Sequence, residues 1–99
     1  MKNYYKRIDG KVFPVNIFDN IINVWGLYIV ELVTNVKYER IYCSGNYLKN
    51  LYLPDSCKVV DCHYNQIKEL IIPDGCEYIE ADMKSVTELN KVDKLRLTI

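Results

Sequence analysis

The sequence predicts a small, mainly β protein whose chain coils into stacked rungs joined by a parallel sheet, with little helix. Three observations carry that expectation. The segments 38–48, 57–67 and 76–86 begin nineteen residues apart. Each holds apolar or aromatic residues at its first, fourth, sixth and eleventh positions: Tyr38, Ile41, Cys43 and Leu48; Cys57, Val60, Cys62 and Ile67; Cys76, Ile79, Ala81 and Val86. Asn46 and Asn65 share the ninth position, and Leu51-Tyr52-Leu53-Pro54-Asp55 matches Leu70-Ile71-Ile72-Pro73-Asp74 at the same offset. A fixed period shared by independent positions marks a stack in which each repeat buries its apolar side on its neighbours.

The elements follow in order. Tyr4–Ile8 and Lys11–Phe13 flank Asp9-Gly10, which predicts a hairpin with a type I′ turn. Placed at the open end of a stack, this hairpin is expected to act as an N-terminal cap over residues 1–20. Stepping back nineteen residues from Ile41, Cys43, Leu48 and Leu51 lands on Ile22, Val24, Ile29 and Leu32, so 21–37 reads as a degenerate first rung. Leu27 stands there in place of the Asn, after Trp25-Gly26. An amphipathic helix from Asp19 to Val33 is the alternative. The mid-segment Trp25-Gly26 and the β-branched and aromatic content speak against it.

Residues 38–89 form the regular rungs, with strands near Arg40–Cys43, Val59–Cys62 and Tyr78–Ala81. Pro54-Asp55 and Pro73-Asp74 supply turns on the far side, and the return segments are too short for full helices. Lys84 stands where the third Asn is due. After a loop at 90–93, Leu95, Leu97 and Ile99 alternate with Lys94, Arg96 and Thr98, giving a closing strand within 90–99 about three residues early in register.

The eleven-residue segments read as Leu-x-x-Leu-x-Leu-x-x-Asn-x-Leu, with Tyr, Cys, Ile, Val or Ala at some Leu positions. In this they resemble leucine-rich repeats of the short bacterial type. Cys is common at the Leu positions, and the rung is slightly shorter than that family's usual minimum. The resemblance implies a right-handed solenoid, capped at both ends, that binds protein partners through the exposed face of its parallel sheet. The buried Asn at the bend after each strand would bond backbone groups otherwise stranded in the turn.

Composition bounds the function. With 99 residues, 49% hydrophobic and 26% charged, the chain suits one folded domain. No apolar run approaches the ~20 residues of a membrane span. The opening Met1–Arg7 leads into Asp9 and Gly10 rather than an apolar stretch, so no secretory leader and no membrane partner are expected, and the expected location is the cytoplasm. The formal net charge is zero, yet 61–99 carries eight acids against five bases. Without a basic stripe, direct nucleic-acid binding is not expected, whereas a basic protein partner is.

Each candidate site has a plainer reading beside it. Cys43, Cys57, Cys62 and Cys76 sit at repeat anchors without a tight Cys-x-x-Cys pair. Core packing is preferred over metal binding, disulfide or redox chemistry. His63 follows an inward cysteine and should point outward, which argues against a Cys62–His63 catalytic pair. Three outward columns repeat every nineteen residues: Arg40, Val59 and Tyr78; Tyr42, Asp61 and Glu80; Ser44, His63 and Asp82. They describe either an ordinary solvated face or a contact surface, aromatic and basic at one end and acidic at the other.

The expected function is non-enzymatic binding of a protein through Arg40, Tyr42, Val59, Asp61, His63, Tyr64, Tyr78, Glu80 and Asp82. Tyr42, Tyr64 and Tyr78 would be anchors, and Asp61, Glu80 and Asp82 would set specificity. Such a chain could be a small inhibitor of the phage or viral counter-defence kind, covering a basic nucleic-acid-binding surface on an enzyme. The alternative is a structural homo-oligomer paired through the edge strand Leu95–Ile99. No catalytic residue, cofactor or metal is assigned.

Overall fold

The computed structural model describes residues 2–82 and the backbone of 94–98. Among the described residues the protein is mainly β and contains no helix. The strands are β1 (Tyr4–Arg7), β2 (Val12–Pro14), β3 (Ile17–Phe18), β4 (Ile21–Asn23), β5 (Ile29–Val33), β6 (Arg40–Tyr42), β7 (Val59–Asp61), β8 (Tyr78–Asp82) and β9 (Lys94–Thr98). They form two sheets, one of order β2-β1-β5 and one of order β3-β4-β6-β7-β8-β9. No helix among the described residues is long and apolar enough to cross a membrane.

The small sheet is wholly antiparallel. β1 pairs with β2 on one side and with β5 on the other. The β1–β2 hairpin closes differently from the expected I′ turn. Gly10 N–H donates to the Arg7 carbonyl and Arg7 N–H to that of Lys11, which leaves a three-residue loop, Ile8-Asp9-Gly10. Of these three, Gly10 alone has a positive φ, at 85°. A two-residue I′ turn needs two positive φ values, and the strand register here leaves room for three residues instead. The I′ geometry occurs one hairpin later. Phe18 pairs with Ile21 across Asp19 and Asn20, whose φ values are 52° and 61°. Asp and Asn tolerate that left-handed conformation better than other non-glycine residues.

β3 therefore belongs to the larger sheet, although it falls within the residues expected to form the cap. β5 joins the small sheet, although it falls within the expected first rung. The Asp19–Val33 segment is not helical; it contributes β4 and β5.

Four consecutive pairings in the larger sheet are parallel. Ile21, Arg40, Val59 and Tyr78 are aligned across β4, β6, β7 and β8, as are Ile22, Ile41, Val60 and Ile79. Each step is nineteen residues, the period of the sequence. The step from Tyr78 to Lys94 is sixteen. The sheet is mixed rather than purely parallel, because β3 pairs antiparallel with β4 at its edge. Lys84, Val86 and the loop at 90–93 lie outside the described residues, as does Ile99.

The core lies behind the larger sheet. Ile22, Ile29, Tyr38, Ile41, Leu48, Val60, Ile67, Leu70 and Ile79 are almost completely buried, as are Cys43, Cys57 and Cys62. Alternation along each short strand sends one residue inward, and the fixed step stacks those residues into columns. The return segments carry turns rather than helices: Cys57 N–H donates to the Pro54 carbonyl, and Cys76 N–H to that of Pro73. All four cysteines are free and buried. Burial pushes the Cys57 and Cys62 thiols up to about 12 and raises those of Cys43 and Cys76, so the reactive thiolate is scarce near neutral pH.

Candidate functional site

The open face of the larger sheet is built by the side chains that alternate with the core. Asn23, Tyr42, Asp61 and Glu80 are in register across four strands. Arg40, Val59 and Tyr78 form the parallel column beside them. Arg40 is exposed; Tyr42, Val59, Asp61, Tyr78 and Glu80 are half-buried. Trp25, nineteen residues before Ser44, is 65% exposed. With Asn23, Tyr42, Ser44 and Asp61 it lines a shallow depression of about 370 Å³. Sequence reasoning missed Trp25 and Asn23 as site residues because the columns were begun at residue 40. One further step of nineteen finds both.

Three ionisable groups converge at one place on this face. His63 Nδ1 is in hydrogen-bond contact with Asp61 Oδ1 and stands 3.5 Å from Glu80 Oε2. Register sets Asp61 beside Glu80 on the adjacent strand. His63, two residues beyond Asp61, turns its ring back over both. The Tyr78 hydroxyl lies 3.5 Å from the other Glu80 oxygen. Burial raises the Asp61 carboxyl above its ordinary value, and the bond from His63 opposes that rise.

Tyr64 packs edge-on against the imidazole with ring centroids 4.6 Å apart. It is 63% exposed and has a φ of 56°. At the equivalent positions of the two preceding rungs stand Gly26 and Gly45, each with φ 67°. A tyrosine in the left-handed region is strained, and here the strained conformation sets its ring against His63.

Asp82 does not belong to the face. It is 9% exposed and turned into the bend after β7. Its carboxylate accepts from Tyr64 N–H at 3.0 Å and from Asn65 N–H at 3.1 Å. The reason lies in the asparagine ladder. Asn46 reaches back one rung, accepting from Leu27 and Ile29 N–H and donating to the Val24 carbonyl. Asn65 accepts from Leu48 N–H and donates to the carbonyls of Cys43 and Cys62. Each asparagine serves the rung before it. At the third rung Lys84 holds the asparagine position, and the carboxylate of Asp82 meets the N–H groups of the second. The same logic explains Leu27, since its rung has no earlier rung to serve.

A second hollow, of about 860 Å³, lies on the return side and is lined by Lys49, Asn50, Tyr52, Gln66, Lys68, Glu69 and Ile71. Its mixed-charge rim holds no convergent set of groups like that around His63. Fold and site together define a mainly β protein with an aromatic and acidic sheet face. No family model matches the chain, and neither does any curated protein or solved structure.

Proposed function

We propose that the chain is a leucine-rich-repeat-like solenoid whose open sheet face binds a basic protein partner without catalysing a reaction. The observation that carries this reading is the composition of that face. Trp25, Tyr42, Tyr64 and Tyr78 offer large rigid surfaces with polar tips, next to the paired carboxylates Asp61 and Glu80. The nineteen-residue steps of the parallel ladder support the solenoid. Acidic groups on an aromatic surface suit a partner that presents Lys and Arg, such as the nucleic-acid-binding surface of an enzyme, which this chain would cover as an inhibitor. Four free cysteines suit a reducing compartment such as the cytoplasm.

The test compares capture by the wild type with capture by two double variants, Trp25→Ala/Tyr42→Ala and Asp61→Lys/Glu80→Lys. Circular dichroism would first establish that each folds. The expected result is a partner lost by both variants, with a wild-type complex that weakens as salt rises. That partner should also lose nucleic-acid binding when the wild-type chain is added. A partner held equally by all three proteins would remove the face from the interaction. Asp82 is left unchanged, because altering it would disturb the bend rather than the face.

A further inference from the structure

We propose that Asp61, His63 and Glu80 form a binding site for one divalent transition-metal ion of the zinc class. Their donor atoms, one imidazole nitrogen and two carboxylate oxygens, all lie within 4.8 Å of one another. Two carboxylates and an imidazole nitrogen offer the negative charge and the lone pairs that attract a divalent ion. One nitrogen and two oxygen donors suit zinc and its neighbours better than magnesium or calcium, which prefer oxygen alone.

One donor pair already has the spacing an ion requires. Two donors each ~2.1 Å from one ion at a tetrahedral angle stand about 3.4 Å apart. His63 Nδ1 and Glu80 Oε2 are 3.5 Å apart. Asp61 Oδ1 is in hydrogen-bond contact with Nδ1. In the tautomer that carries its proton on Nε2, Nδ1 is free to ligate, so an ion replaces this hydrogen bond and the carboxylate turns outward to make room.

The Tyr64 ring packs edge-on against the imidazole that supplies the nitrogen, with centroids 4.6 Å apart. Asp61 also lines the depression beside Trp25 and Tyr42. Side-chain exposures of 20–22% give the ion a path from solvent.

The experiment uses the full chain, reduced and freed of metal by chelation, titrated with CoCl₂ and ZnCl₂, with MgCl₂ as comparison. The expected result is one saturable equivalent of cobalt with d–d absorption and no thiolate-to-cobalt charge-transfer band, displaced by zinc and not by magnesium. His63→Ala and Glu80→Gln should each weaken binding roughly tenfold or more. In the wild type, cobalt should shift or broaden the NMR signals of residues 61, 63, 64 and 80 first, which decides the matter even if a variant fails to fold. No saturable uptake at millimolar metal, a thiolate band, undiminished affinity in folded variants, or paramagnetic effects centred elsewhere would each overturn the proposal.

Discussion

In the small sheet, the backbone groups of β1 pair on both sides with neighbouring strands, and side chains add only local support. Tyr5 stacks on Phe13 at 5.4 Å, and the Arg7 guanidinium sits 5.7 Å from the Phe13 ring and 5.9 Å from that of Tyr28. In the larger sheet the strands are only three residues long at β4, β6 and β7. Each bend leaves backbone groups that no strand reaches, and buried polar side chains meet them: Asn46, Asn65 and Asp82. Antiparallel pairing is self-contained, whereas the stacked ladder depends on single residues whose loss strands several buried groups together.

Asn46→Ala should separate the two regions most sharply. It removes acceptors and donors for Leu27, Ile29, Val24 and Cys43 at once. Each stranded group costs roughly 1–3 kcal/mol, so a loss of about 3 kcal/mol or more is expected in urea unfolding. Tyr5→Leu in the small sheet should cost about 1 kcal/mol. Equal costs would break the comparison.

Asp82→Ala should lose about 2–3 kcal/mol, because two backbone N–H groups lose a charged acceptor. Asp82→Asn should lose about half as much, since an amide oxygen can still accept from one of them. A neutral result for both would return Asp82 to the exposed face.

Alkaline pH should also act chiefly on the ladder. The folded Cys43, Cys57, Cys62 and Cys76 hold their protons above the ordinary thiol value of 9.0, as Tyr38 does above 10.0. Between the unfolded and folded values the native state binds more protons than the unfolded chain, so stability falls as pH rises. The slope approaches about 1.4 kcal/mol per pH unit for each thiol titrating only when unfolded. Denaturation midpoints from pH 8 to 11 should show the decline starting near 9, and Cys62→Ala should make it shallower.

Tyr64→Gly should relieve the left-handed backbone and gain up to about 1 kcal/mol, while loosening the His63 ring. A loss of stability would mean that the ring contact outweighs the strain. The smallest effect belongs to Trp25→Ala, expected within about 0.5 kcal/mol of wild type by thermal melting, since the side chain lies largely in solvent.

Much of this was legible in the chain. The period of nineteen located Ile41, Val60 and Ile79 in one buried column and set Tyr42, Asp61 and Glu80 in one register. The hairpin was legible, but its loop was not: Asp9-Gly10 has I′ chemistry, and the register between β1 and β2 decided the loop length. Asp82 was misplaced because β8 runs two residues past the end of β7, so its carboxylate meets the bend at Tyr64 and Asn65 rather than a neighbouring strand on that side. The convergence of His63 on Asp61 and Glu80 was hidden for a similar reason, since column membership does not say how a ring swings.

By itself the sequence determined the repeat, the inward residues and the asparagine positions, because these follow from local periodicity. Tertiary structure alone decided that β5 pairs with β1 in the small sheet and that Asp82 joins the polar ladder. It also decided that three separate side chains meet at one point. Each of these depends on which unpaired backbone group or charge lies within reach after the rungs stack, and that distance is not written in any single segment.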